Sequence, residues 1–238
     1  VLIGFFGRTN LTYNDKYLLT LTYRRDGTSV FAKQNRFGNF PAVSFAWKLN
    51  NEFFKDNNTI SDLKLRAGWG ITGQQDLGRG RRDYYQSQYT TGSPGSQYVF
   101  GTSPITVGLP RDNNPNLKWE KNTQKDIALD FGFFNNRLRG SVEYYNRATD
   151  GLIFSVPVPV SSGLDAKVEN IGSMFNSGFE VSVDGMVVKA KDFSWNINVN
   201  ASTIKNEITA LPQEEIISGT KKYIVGSSIY DYWLRDWY

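Results

Sequence analysis

The sequence predicts an all-β protein, an antiparallel up-and-down transmembrane β-barrel segment of about nine strands. Apolar and polar residues alternate with a period of two in segment after segment, and the segments are joined alternately by very short and very long connections. No apolar run approaches the roughly 20 residues that a membrane helix needs. The longest, Val1 to Phe6, is far too short and reads as a strand of its own.

Taken in order, Tyr17, Leu19, Leu21 and Tyr23 form one face of the next strand, and Val43, Phe45, Trp47 and Leu49 one face of the strand after it. Leu63, Leu65, Ala67, Trp69 and Ile71 then alternate with Lys64, Arg66, Gly68, Gly70 and Thr72. Ile127, Leu129, Phe131 and Phe133 oppose Ala128, Asp130 and Gly132, and Phe179, Val181 and Val183 continue the pattern. The clearest segment comes last, where Phe193, Trp195, Ile197, Val199 and Ala201 alternate with Ser194, Asn196, Asn198, Asn200 and Ser202. Successive strand side chains point to opposite faces, so each segment separates an oily surrounding from a polar one. A soluble sandwich alternates in the same way, so the connections must decide between them.

Residues paired across a hairpin face the same side of the sheet, so side-chain parity measures the tight turns. Tyr13 and Tyr17 share parity, which predicts a three-residue loop, Asn14 to Lys16. Phe133 and Leu138 have opposite parity, which predicts the four residues Phe134 to Arg137, and Val187 to Phe193 predicts five. Between these lie long connections, Arg25 to Phe37, Gly73 to Leu117, Pro157 to Asn176 and Ile208 to Lys222. Pro157 and Pro159 cannot donate ladder hydrogen bonds, so a strand is expected to end near Val156. Short turns on one side and long loops on the other are the pattern of outer-membrane barrels, and a sandwich has no reason to sort its loops this way.

A hydrophobic fraction of 39% and a mean hydropathy of -0.44 resemble a water-soluble protein, but in a barrel only every second strand residue meets lipid. Aromatic residues near strand ends (Trp47, Phe131, Phe133, Phe134, Phe193, Trp195 and Trp233) suit the rings found at the headgroup level. The absence of Cys excludes thiolate chemistry and disulfides, and the absence of His removes the commonest general base and metal ligand. Lys and Arg exceed Asp and Glu by 27 to 23, too dispersed for a nucleic-acid surface; Arg79, Arg81 and Arg82 are the sharpest concentration, read as a solvated loop before a contact with an anionic lipid headgroup or acidic ligand. A strand pattern begins at Val1, and Tyr230, Tyr232 and Trp233 resume one before Tyr238. About nine strands leave two bare edges, which do not survive in lipid, so a piece of a larger polypeptide is expected.

Several phrases resemble the SusC/RagA-type branch of TonB-dependent outer-membrane transporters. They are Tyr17 to Phe31 (YLLTLTYRRDGTSVF), Asn35 to Trp47 (NRFGNFPAVSFAW), Ile60 to Gln74 (ISDLKLRAGWGITGQ), Asn114 to Leu152, Asn170 to Gly185 (NIGSMFNSGFEVSVDG) and Phe193 to Leu211, in the family's order and spacing. Gln74 and Gln75 stand where the family often has Asn-Gln, and Val30 with Ala32 replaces a more usual Arg and Gly. The resemblance implies a barrel of about 22 strands with an N-terminal plug, energised through a TonB box and capped by a SusD-like surface lipoprotein that helps capture glycans or peptides. Residues 1–238 would be part of that barrel, without plug, TonB box or final strands.

Candidate contacts to substrate or to the external lid are Tyr84, Tyr85, Tyr89, Tyr98 and Phe100, aromatic residues spaced along a Gly-, Ser- and Pro-rich loop. Their rings suit sugar faces, and equally a loop packed on itself or against a lid. Asp26, Glu120, Asp126, Asp130, Glu143 and Glu180 invite comparison with the two acids of a glycosidase, but acids on polar strand faces are equally expected of a wet lumen. Asp112 to Asn114 lacks calcium-loop spacing, and Gly78 with Gly80 lacks the strand-to-helix setting of a phosphate loop, so no catalytic, cofactor or metal residue is assigned. The expected function is import of a large hydrophilic nutrient across the outer membrane, an oligosaccharide before a peptide. The expected partners are lipid, TonB and a SusD-like lipoprotein, with no nucleic acid. The alternatives are a soluble carbohydrate-binding β-sandwich and, third, a β-rich secreted hydrolase.

Overall fold

A computed structural model describes residues 1–54, 57, 59–77, 83–90, 97–106, 108–164, 166–218 and 220–233, with only the backbone at 97, 100, 103–106, 109, 160 and 218. The strands are β1 (Leu2–Tyr13), β2 (Tyr17–Thr28), β3 (Phe37–Lys48), β4 (Ile60–Gln74), β5 (Tyr89–Thr90), β6 (Gln97–Phe100), β7 (Ser103–Thr106), β8 (Leu109–Pro110) and β9 (Glu120–Phe133). They continue with β10 (Leu138–Asp150), β11 (Ile153–Pro157), β12 (Ala166–Asn170), β13 (Ser173–Lys189), β14 (Ser194–Ser202), β15 (Lys205–Ala210), β16 (Glu215–Ser218) and β17 (Lys221–Ile224). A short helix, α1 (Asn50–Phe53), lies between β3 and β4. The large sheet is an open antiparallel meander in the order β1-β2-β3-β4-β9-β10-β13-β14, with β15 also on β13. β14 and β15 act as one interrupted strand, since β14 pairs with residues 180–189 of β13 and β15 with 173–177. Thr203 bridges the interruption, its N–H on the Phe179 carbonyl at 2.8 Å and its hydroxyl accepting the Phe179 N–H at 3.0 Å.

Strand direction sorts the connections. The described residues of 14–16, 49–59, 134–137 and 190–193 lie at one end of the sheet, and those of 29–36, 75–119, 151–172 and 211–233 at the other. The three-residue turn is as expected, with Tyr13 opposite Tyr17 and with Asn14 and Asp15 both at positive φ, which Asn and Asp tolerate. The four-residue turn after Phe133 is also as expected. The third turn differs. Val187 and Phe193 are not partners: a bulge after Met186 brings Val188 opposite Trp195, and Lys189 pairs with Ser194, leaving residues 190–193 as the turn. Parity counting cannot see a bulge, because the extra residue is absorbed inside the strand.

One expected strand end also moves. β11 does end at Pro157, but the chain has already left the large sheet at Gly151, and β11 with β12 forms a separate hairpin between Gly151 and Gly172. Both glycines lie at positive φ, +66° and +96°, where a β-carbon is strained, so the two arms bend away together.

Cross-strand register places the apolar residues of all strands in common rows. One row runs Leu11, Leu19, Phe45, Ala67, Ile127, Tyr144 and Phe179. The next runs Tyr13, Tyr17, Trp47, Leu65, Leu129, Val142, Val181 and Ala201. This face is open: Phe179 is 54% exposed and Val199 55%, and Trp195 and Ile197 are exposed beside them. No second sheet among the described residues covers it, as a sandwich would require. The buried apolar cluster sits instead among the long loops, made of Phe31, Phe40, Leu77, Tyr84, Leu117, Trp119 and Val168.

Candidate functional site

Two surfaces hold the chemistry, the polar inner face of the sheet and the cap of long loops above it. On the inner face, register brings charged residues from neighbouring strands side by side. Lys64 and Arg66 of β4 face Asp130 of β9, with the Arg66 guanidinium on both Asp130 oxygens (Nε to Oδ2 2.9 Å, Nη2 to Oδ1 3.1 Å) and Lys64 Nζ at 2.9 Å. Arg66 also reaches Glu143 of β10 at 3.4 Å, and Arg139 donates to Asp184 of β13 at 3.1 Å. Half-exposed pairs of this kind contribute about 0–1 kcal/mol each. What they achieve is a wall that stays wet and holds its charges in place. Small and neutral residues continue the same rows, Ser141, Ser182 and Asn200 beside Asp130 and Asn198 beside Asp184, with Ser44, Gly68 and Gly70 further along β3 and β4. A shallow depression of about 370 Å³ runs between Asp130, Arg139, Ser182 and Asn198.

Of the acids singled out from the sequence, two belong to these networks. Asp130 and Glu143 serve Arg66, and Asp26 takes the Arg24 Nε–H at 2.5 Å. Glu120 accepts the Ile153 N–H, while Asp126 lies over Gly68, where a β-carbon would overlap its carboxylate. Glu180 stands directly opposite Glu143 across β10 and β13. No group of residues able to hold a metal occurs among the described residues.

The cap is built by Asn-rich phrases, among them Asp112 to Asn114, whose spacing does not fit a calcium loop. The Asn114 side-chain N–H donates to the Val168 carbonyl at 2.9 Å, and the Asp112 carboxylate accepts the Val168 N–H at 2.9 Å. Gln34 and Asn35 donate to the carbonyls of Pro115 and Asn116, and the Trp119 indole donates to the Arg36 carbonyl at 3.1 Å. Trp119 meets Phe31 and Phe40 edge-on at 5.7 and 5.3 Å. Room for these rings comes from Gly38 and Gly73, where a β-carbon would strike Phe40. Each of the hydrogen bonds is a long-range one to backbone, and periodicity holds no trace of it.

Of the aromatic candidates, Tyr84 is a packing residue of this cluster, 4% exposed. Tyr85 is partly buried, Tyr89 of β5 is open to solvent, and Tyr98 of β6 is 61% exposed. The Phe100 side chain lies outside the described residues, as do Arg79, Arg81 and Arg82. At the opposite, short-turn end stand Trp47, Phe131, Phe133, Phe134, Phe193 and Trp195, whereas Trp233 belongs to the long-loop end. There Glu52 of α1 accepts hydrogen bonds from the Trp47 indole and the Tyr17 hydroxyl, both at 2.9 Å. These two bonds, the Trp47 one foremost, with Lys16 nearby, hold the Glu52 carboxyl below its ordinary pKa.

An open antiparallel sheet with its oily face outward, a wet charged face inward and its two longest connections, 75–119 and 151–172, at one end is a section of an outer-membrane β-barrel wall. The family "TonB dependent receptor-like, beta-barrel" matches residues 2–234, and the chain belongs to it. TonB-dependent receptor SusC of Bacteroides thetaiotaomicron is 44% identical over 213 residues, covering 88% of this chain and 21% of its own length. A TonB-dependent receptor of Formosa agariphila is 36% identical over 236 residues, covering 95% of this chain and 23% of its own. Among solved structures, the RagAB peptide importer in its closed-closed state superposes with a TM-score of 0.84 at 27% identity, over 94% of this chain and 24% of that one. The chain therefore spans about a fifth to a quarter of the length of these relatives.

Proposed function

We propose that this segment is part of the wall of a TonB-energised outer-membrane importer for a large hydrophilic nutrient, and that it performs no covalent chemistry. The observation that carries this reading is the inside-out sheet: an uncovered apolar face beside Arg66, Asp130, Glu143 and the Asn198–Asn200 row on the other. In this reading a plug closes the barrel and moves when TonB pulls, and the solute slides past a wall offering many weak hydrogen bonds. A SusD-like lipoprotein covers the long loops. An oligosaccharide is favoured by the neutral amide and hydroxyl rows of the inner face and by the open rings of Tyr89 and Tyr98, which suit sugar faces. Likeness to a peptide importer supports the alternative cargo, a peptide.

The test uses the complete transporter with its lipoprotein and measures binding by calorimetry against panels of neutral oligosaccharides and of peptides. Saturable binding of an oligosaccharide is expected, and replacing Tyr85, Tyr89 and Tyr98 with Ala should weaken it by about 1 kcal/mol per contacting ring, roughly fivefold in Kd for each. Binding of peptides alone would assign the other cargo. Unchanged affinity in a correctly assembled triple variant would remove these rings from the site.

A further inference from the structure

The β11–β12 hairpin is attached to the rest of the molecule in an unusual way. Its two arms leave the large sheet at Gly151 and Gly172, which sit at the same level: the Leu152 N–H meets the Gly172 carbonyl at 3.1 Å and the Ile171 N–H meets the Leu152 carbonyl at 2.8 Å. Both glycines are left-handed, so both arms bend at one height. Beyond that line, among the described residues, the hairpin forms a backbone ladder only with itself and belongs to no larger sheet.

Its outer edge is held against residues 112–118 by side chains in place of a backbone ladder. Asp112 and Asn114 occupy the N–H and C=O of Val168. In return the Asn170 side-chain carbonyl accepts the Lys118 N–H at 2.8 Å and its amide donates to the Lys118 C=O at 2.9 Å. The same Asn170 amide donates to the Gly151 carbonyl at 3.0 Å, so one residue joins the long loop, the hairpin and the bend. Between these contacts Val168 inserts into the cap cluster at 2% exposure. Four side-chain to backbone bonds can be exchanged for water without dismantling any ladder, whereas the β9–β10 and β10–β13 ladders run unbroken to Asp150.

We propose that this seam is a latch: it opens and closes while β9, β10 and β13 stay fixed, with Gly151 and Gly172 as the hinge and Asn170 as the catch. Closed, it makes the long loops one body. Open, it releases residues 112–118 from the hairpin and widens the external mouth. The part played in import rests on the function proposed above; the opening itself does not.

Hydrogen exchange on the complete, folded transporter tests it. Amides of 112–119 and 166–171 should exchange through local opening well before those of β9 and β10, and Asn170→Ala should accelerate them by about tenfold or more, as expected for losing bonds of this type, with β9 and β10 unchanged. An Asn114→Cys, Val168→Cys pair, oxidised, should slow the same amides and also slow import, with reductant reversing both and each single Cys variant as control. Seam amides that exchange at the rate of the strands in every variant would overturn the latch. Seam amides that respond as expected while the oxidised pair imports normally would keep the latch and remove it from the import cycle, and absence of import in the unmodified protein would count against the importer alone.

Discussion

The strand wall and the loop cap are built by opposite rules. In the wall, Ile127, Phe179 and Val199 face outward and Asp130, Arg66 and Glu143 inward. In the cap, Phe31, Leu117 and Val168 are inside, at most 2% exposed, and polar side chains surround them. The rule is one rule under two solvents. Apolar surface leaves water wherever it can, toward hydrocarbon from a barrel wall and toward neighbouring side chains from a loop cluster. The wall satisfies its backbone through antiparallel ladders, continuous across β9, β10 and β13, as lipid demands, whereas the cap uses Asn, Asp and Gln side chains for the same purpose, which water permits.

The sharpest way to break this comparison is to treat each region as if it were the other. Leu117→Ala removes a fully buried side chain and should cost the cap about 2–5 kcal/mol. The loss should appear as faster exchange of the surrounding loop amides while the barrel keeps its resistance to unfolding in detergent; equal weakening of both regions would mean that they form one cooperative unit. Ile127→Arg, midway along β9 on the outer face, should cost about 2–4 kcal/mol in folding into lipid vesicles. Asn198→Arg on the inner face should cost far less, and if the two were equal the assignment of faces would be wrong.

The smallest expected effect concerns the short-turn end. Because the folded-state pKa of Glu52 is depressed, its hydrogen bonds to Trp47 and Tyr17 stabilise the α1 turn at pH above the ordinary carboxyl value of 4.5, and that contribution is lost as pH falls through the lowered folded value. The acid-induced change in Trp47 fluorescence should therefore vanish in Glu52→Gln, and Trp47→Phe should return the Glu52 titration, followed by NMR, toward its ordinary position. A Glu52 titration unmoved in Trp47→Phe would show that the indole bond is not its cause.

Much of the wall was legible because a period of two is a local property. Tyr13 and Tyr17, or Phe133 and Leu138, could be paired across their turns by parity alone. The same counting failed at Val187, where a bulge absorbs a residue, and at Gly151, where the strand pattern of Ile153 and Val156 continues after the chain has left the sheet. Tyr84, Tyr85 and Tyr89 form one aromatic series in the sequence, yet Tyr84 is buried and Tyr89 is open. Nothing in the spacing of rings distinguishes them, because burial depends on what Leu117 and Val168 bring from distant segments.

By itself, then, the sequence determined the strands, most of their turns, the side of each that meets lipid, and through its longer phrases the family. Those are consequences of near neighbours: side-chain alternation, turn preferences and parity act over a few residues. Only the tertiary structure decided that Asn114 and Asn170 bind the backbones of Val168 and Lys118, that Arg66 gathers Asp130 and Glu143 from two other strands, and that the sole large buried cluster of the described residues lies among the loops. Each of these joins residues far apart in the chain, and a pairing across such a distance is set by register and loop closure rather than by local pattern.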